Sequence, residues 1–155
     1  MLFRSVIGFL NTGDPVGFAE RLRAFHEGLG RLGFVEGRNV AFEYIWTENR
    51  FDRLPELAER LVAKNVDVIV AANGIHVARV ARAATDRIPV LFVFSNDPVA
   101  EGLVASLARP GANVTGINTL NMELAPKRLE IVRELFPAAK AVVLDRKSTR
   151  LNSSH

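Results

Sequence analysis

Four short polar clusters carry the side chains best suited to chemistry in this 155-residue chain: Asn11, Thr12, Gly13 and Asp14; Asn73 and Gly74, followed by Ile75 and His76; Ser95, Asn96 and Asp97, followed by Pro98; and residues 118–121, bounded by Asn118 and Asn121. Each closes an apolar run and opens a helical pattern. Amides and hydroxyls there offer neutral hydrogen bonds, and the free N–H groups and dipole at the start of a following helix favour a carboxylate or another anion. Asp97, facing the same space, would hold an ammonium group. Together these groups suit a zwitterion of the amino-acid type. A plainer account competes: Asp14 before Pro15 and Asp97 before Pro98 have the form of ordinary helix caps, and Asn73 with Gly74 turns the chain tightly. Tyr44 and Trp46 offer rings for stacking on an aromatic ligand, although packing in the core or rim accounts for them more simply.

The same loops speak against several enzyme classes. The first apolar run leads into FLNTGD, which lacks the G-x-G-x-x-G that lets a backbone approach a pyrophosphate. No Walker-type lysine follows a glycine loop, and there is no G-x-S-x-G elbow. A phosphoacceptor receiver would carry paired acids after its first strand and an aspartate ending its third, where this chain has Ala71, Ala72 and Asn73. His26 and His76 stand apart with no carboxylate at metal spacing, so both read as surface residues. Cysteine is absent, which excludes a disulfide framework and a thiolate zinc site within this chain. Neither catalysis nor a metal nor a cofactor is expected.

The elements that must hold these clusters alternate regularly. Residues 6–10 read as a strand, followed by a helix with Pro15 at its first position, an apolar stripe at Phe18, Leu22, Phe25, Leu29 and Leu32, and Gly33 as its C-terminal cap. Residues 39–46 form the second strand, with Val40, Phe42 and Tyr44 alternating against Ala41, Glu43 and Ile45. A helix over residues 51–64 faces Leu54, Leu57, Ala58, Leu61 and Val62 inward, with Pro55 tolerated in the first turn. Strands at 66–72, 88–94 and 113–118 then alternate with a helix over 75–84, a helix opening at Pro98 and a longer helix over 122–135; a short run at 141–144 comes too late to belong securely. Alternating strands and helices imply crossovers and a parallel sheet, and near-continuous apolar strands imply burial on both faces. The expected fold is doubly wound α/β with five parallel strands in the order 2-1-3-4-5. In such a sheet ligands bind outside the carboxyl ends of the strands, where the four polar clusters fall.

Length and composition fit one globular domain, and the apolar runs are far short of a membrane span. The net charge of +3 is concentrated at the ends. Residues 145–155, DRKSTRLNSSH, resemble the translation of a common short-read sequencing adapter, and residues 1–5, MLFRS, match the reverse complement of its beginning. Setting both aside removes four of the 20 basic residues and one of the 17 acidic ones, which leaves the two signs in balance. The electrostatic footprint of a nucleic-acid binder then disappears.

Longer strings carry a family likeness: IGFLNTGD, GFVEGRNVAFEYIWTENRFDRLPELAERLV, VDVIVAANG, FSNDPVAEGLVASLARPGANVTGINTL and ELAPKRLEIVRELFP. Over residues 6–144 they resemble the ABC-transporter substrate-binding proteins of the type I periplasmic-binding fold, in the branch that includes tryptophan- and tyrosine-binding lipoproteins. EYIWTENRFDRLPELA, SNDPV and RPGANVTG, in that order, are the most specific. The resemblance implies a protein of the periplasm or another extracytoplasmic space, in some members lipid-anchored, that traps a small molecule, such as an amino acid, between two lobes and presents it to an ABC permease, without catalysis. It places residues 6–120 in the N-terminal ligand-binding lobe and 121–144 in a crossover helix and the start of a truncated second lobe. Carried over by position, the ligand-binding residues are Asn11, Thr12, Asn73, Gly74, Ser95, Asn96 and Asp97. Ile75 and His76 depart from the threonine and proline usual after that glycine, so a hydroxyl donor is lost. The competing reading is a ligand-sensing lobe of a regulator or sensor with the same fold; a flavodoxin-like cofactor carrier is disfavoured by the missing phosphate loop. A single lobe offers one wall of the cleft, so weak binding is expected.

Overall fold

A computed structural model describes residues 5–119 and 124–138, which belong to two separate compact units. The first contains β1 (Ser5–Asn11), α1 (Ala19–Arg31), β2 (Val40–Trp46), a single 3-10 turn (Phe51–Arg53) leading into α2 (Leu54–Ala63), β3 (Val68–Ala72), α3 (Ile75–Ala84), β4 (Val90–Phe94) and β5 (Val114–Asn118). Every strand pair is parallel and the order is β2-β1-β3-β4-β5, as the alternation of elements requires. The second unit contributes α4 (Leu124–Leu135), whose Leu129, Ile131 and Leu135 are exposed.

The two-residue period of the strands divides their side chains between two layers. Leu10, Ile45, Ile69, Ala71, Val90, Phe92 and Val114 join Leu54, Leu57, Ala58 and Leu61 of α2 and Val77, Ala78 and Ala81 of α3 in one core. Gly8 lies on the same face, where an added Cβ would stand 3.1 Å from Leu61 and Val66, so its lack of a side chain gives α2 its seat. On the opposite face Ile7, Phe9, Val40, Val70 and Ala72 are covered by Phe18, Leu22, Phe25 and Leu29 at the start and along the length of α1. Phe9 is the centre of that layer: its ring lies 5.6–6.0 Å from those of Phe18, Phe25, Tyr44 and Trp46. Burial of such a ring contributes roughly 1.5–3 kcal/mol, and each tilted ring pair about 0.5–1.5 kcal/mol beyond that. At the edge of this layer Tyr44 stacks on Phe42. The Tyr44 hydroxyl hydrogen-bonds with His26 Nε2 at 2.7 Å and faces Glu36. Burial, reinforced by the Glu36 carboxylate, pushes the tyrosine pKa well above its usual value.

Several local expectations are corrected. The first helix begins at Ala19 rather than Pro15: Asp14 Oδ1 accepts from the Gly17 N–H at 2.8 Å, and the turn closed by the Ala19 N–H to Val16 C=O bond precedes the helix. Gly17, unfavourable in a helix interior, sits in that turn. Leu32 leaves the apolar stripe and stands exposed as the C-terminal cap, because the chain reverses there. The Phe34 N–H bonds to Leu29 C=O and Gly33 N–H to Gly30 C=O, with Gly33 at φ +85°, the arrangement that needs a glycine. No helix follows Pro98; residues 98–102 form hydrogen-bonded turns closed by Gly102 at φ +67°, which send Leu103 and Val104 into the core. Ser5 is already part of β1, paired with Val40. Residues 1–4, the run at 141–144 and the tail at 145–155 lie outside the described residues. His26, expected at the surface, is half-buried against Phe42 and Tyr44.

Two outcomes follow. Gly116 pairs with Phe92, and an added Cβ would overlap the Phe92 carbonyl and ring, so Gly116→Ala should lower the urea unfolding free energy by about 1–3 kcal/mol. Gly28→Ala, on an open part of α1, should raise it by up to about 1 kcal/mol; equal effects would disprove the close approach of β5. Tyr44 is the chain's single tyrosine, so ultraviolet titration reports on it alone. Its raised pKa means that the folded form holds the proton after the unfolded form has lost it. Stability should therefore be unaffected by this group below about pH 10 and fall as pH rises beyond it. Tyrosinate absorbance growing in near pH 10 while the fold is intact would contradict this.

Candidate ligand cleft

Parallel strands deliver every strand-to-helix connection to the same edge of the sheet. At that edge a cleft of about 470 Å³ opens. Ala72, Asn73 and Gly74 line it from the end of β3, and Val93, Phe94, Ser95 and Asn96 from the end of β4. Thr119 enters from beyond β5, and Phe18 and Arg21 from the start of α1. Its surface therefore combines apolar side chains with amides and hydroxyls. The Thr119 hydroxyl donates to Ser95 Oγ at 2.9 Å, and the Thr119 N–H bonds to Phe94 C=O at 3.1 Å, so the β4 and β5 rims are joined.

Of the seven residues singled out from the sequence, Asn73, Gly74, Ser95 and Asn96 meet in this cleft. Asn11 and Thr12 do not line it; both are buried beneath the rim. Thr12 Oγ1 donates to Asn73 C=O at 3.2 Å and accepts from Asn73 Nδ2 at 3.0 Å. Its carbonyl accepts from Thr47 Oγ1 at 3.2 Å and from the Asn49 N–H at 2.6 Å. A threonine thus ties three connections together. Asn11 Oδ1 accepts from the Gly13 N–H at 2.7 Å, while Asn11 Nδ2 is buried with no hydrogen-bond partner among the described residues. Asp97 is turned toward its own chain: Oδ1 accepts from the N–H groups of Val99 and Ala100 at 2.8 and 3.3 Å, which is capping of the turn after Pro98. Asn73 and Gly74 both take positive φ, 74° and 129°, and so steer the chain off β3 into α3 as well as lining the cleft.

The remaining candidates lie elsewhere. Tyr44 and Trp46 pack in the layer beneath α1. His76 is exposed and sets its ring edge-on to Phe51, in a separate apolar groove with Leu54, Pro55 and Val80. Among the described residues no group of three histidines, cysteines or carboxylates is placed to hold a metal ion. Sequence reasoning missed Phe18 and Arg21 as lining, whereas Thr119 belongs to the cluster 118–121 that it placed at this edge. Phe18 was placed in the buried stripe of the helix, and Arg21, three residues on, shares its face; that spacing was the available signal.

Thr12→Val keeps the shape of the side chain and removes both hydrogen bonds to Asn73. Each such bond is worth about 0.5–1.5 kcal/mol. Chemical denaturation should show a loss of about 1–2 kcal/mol, and amide exchange should speed up around residues 73 and 47; a neutral substitution would show that the three connections are held independently.

Comparison with known proteins agrees with this architecture. The family model for ABC transporter substrate binding proteins matches residues 14–154. Over 131 residues the chain is 31% identical to a tyrosine-binding protein of Clostridioides difficile (strain R20291), covering 84% of this chain and 37% of that protein. A Streptococcus pneumoniae ABC domain solved in complex with L-Trp superposes with a TM-score of 0.67 at 25% identity, over 74% of this chain and 38% of that one. The ligand-free, open structure of a Clostridium difficile substrate binding protein with adhesive properties superposes with a TM-score of 0.71 at 28% identity, over 88% and 45% of the two chains. A conserved domain protein of Vibrio cholerae gives a TM-score of 0.75 at 27% identity, over 86% and 44%. The chain thus spans less than half the length of each of these relatives. With a matching family model over nearly its whole length and a fold shared with these solved structures, the chain belongs to the ABC transporter substrate binding protein family.

Proposed function

We propose that this chain is the N-terminal lobe of the extracytoplasmic solute-binding component of an ABC importer, and that it supplies one wall of a cleft that captures an amino acid for delivery to a membrane permease. The observation that carries the reading is the convergence of Asn73, Gly74, Ser95, Asn96 and Thr119 on one open cleft at the carboxyl edge of the sheet. Neutral amides and hydroxyls suit the polar end of an amino acid, and Phe18, Val93 and Phe94 offer apolar surface to its side chain. The L-Trp bound to the pneumococcal relative and the tyrosine-binding relative support that choice of ligand. Thr12 acts from behind, by holding Asn73 in place. Capture without chemical conversion is in keeping with relatives that are binding proteins.

One wall makes about half of the contacts. A micromolar two-lobed site is worth about −8 kcal/mol, and half of that corresponds to a dissociation constant of about 1 mM. Two-dimensional amide NMR of this chain with L-tryptophan or L-tyrosine should therefore show saturable shifts near that concentration, centred on residues 73, 74, 95, 96 and 119. Shifts scattered over the surface would refute the site, and micromolar affinity by calorimetry would refute the need for a second wall.

A further inference from the structure

Among the described residues, Arg21 is the single charged one lining the cleft. Its guanidinium carbon lies 5.4 Å from the centroid of the Phe18 ring, which also lines the cleft, and it makes no hydrogen bond or ion pair with another described residue. Other arginines of this unit are engaged: Arg79 pairs with Glu101, and Arg82 donates to the Gly102 and Leu103 carbonyls. Two acidic groups that follow β4, whose end lines the cleft, are engaged too. Asp97 caps its turn, and Glu101 is held between Arg79 and Asn96 Nδ2. The ten-residue helix α3 starts at Gly74, which also lines the cleft and has no side chain to cap the helix; its first N–H groups add partial positive charge at the cleft wall.

Among the described lining residues an ammonium group meets only neutral acceptors, whereas a carboxylate meets a guanidinium and a helix start. We infer that Arg21 makes this lobe selective for the carboxylate end of its ligand, so that an apolar carboxylate is a sufficient ligand for this wall and the ammonium contributes little to it. The inference rests on the solute-capture reading above. Arg21 acts by direct pairing, with the Phe18 ring holding the guanidinium over the cleft.

Three probes with one ring system test it by amide NMR titration of the 155-residue chain: L-tryptophan, indole-3-propionate, which keeps the carboxylate and lacks the ammonium, and tryptamine, which has the reverse. Indole-3-propionate should bind within about threefold of L-tryptophan and tryptamine about tenfold or more weakly. Arg21→Gln should abolish the difference between the last two, and Arg21→Lys should retain most of it. Arg21 is exposed in the first turn of α1, so neither change should shift the thermal melting curve appreciably. Tryptamine binding as well as indole-3-propionate, or Arg21→Gln keeping the preference, overturns the role of Arg21 while solute capture stands. Absence of cleft-centred shifts with all three probes overturns solute capture and the role of Arg21 together.

Discussion

Parallel pairing of β1 between β2 and β3 is the constraint on which everything else in this unit depends. Hydrogen bonds between parallel strands keep all five running the same way, so every connection that leaves a carboxyl end emerges on one edge. The alternation along β1 then decides what lies beneath that edge: Phe9 into the layer under α1, Leu10 into the layer under α2 and α3, and Asn11 at the last paired position. Apolar burial on two faces fixes the register, because a slip of one residue would send Phe9 and Leu10 each to the wrong layer. The placement of the cleft is inherited from that register.

The rim is built differently from the core. Glu48 and Asn49 take positive φ in succession after β2, and Asn73 does so after β3. Such conformations cost of order 1 kcal/mol or more for residues other than glycine and persist only where neighbours enforce them. Here the neighbours are the Gly13 and Thr12 carbonyls, which accept the N–H groups of Glu48 and Asn49, and the Thr12 hydroxyl at Asn73. Asn11 Nδ2 is buried there with no hydrogen-bond partner among the described residues. Local strain thus gathers under the cleft edge, offset by the two apolar layers below. Rim geometry is held by a few polar contacts rather than by packing, which leaves it open to adjustment around a ligand.

The sheet order was legible because apolar runs of five to seven residues alternated with helical stripes, and parallel topology leaves few arrangements for such a chain. Boundaries failed where a side chain competed with the helix: Asp14 drew the Gly17 N–H into a turn, and Gly102 closed the chain after Pro98 before a second helical turn formed. The site was half legible. Position after a strand located Asn73, Gly74, Ser95 and Asn96, but it does not say which side chains face outward. Thr12 and Asn11 are equally polar and equally placed in sequence, yet both turn inward because buried carbonyls and N–H groups needed partners. Arg21 was invisible for the opposite reason, since an arginine on a helix reads as a solvated face until the cleft beside it is known. The family itself came from likeness of strings, which no argument from period or charge could have supplied.

The packing of Trp46 has one more consequence. It is the chain's single tryptophan, and its ring stands 5.9 Å from that of Phe18, which borders the cleft on its other side. One aromatic therefore stands between the indole and the cleft. On the solute-capture reading, a ligand that displaced that ring would alter the polarity around an intrinsic fluorophore, and emission wavelength would then gauge occupancy without any attached dye.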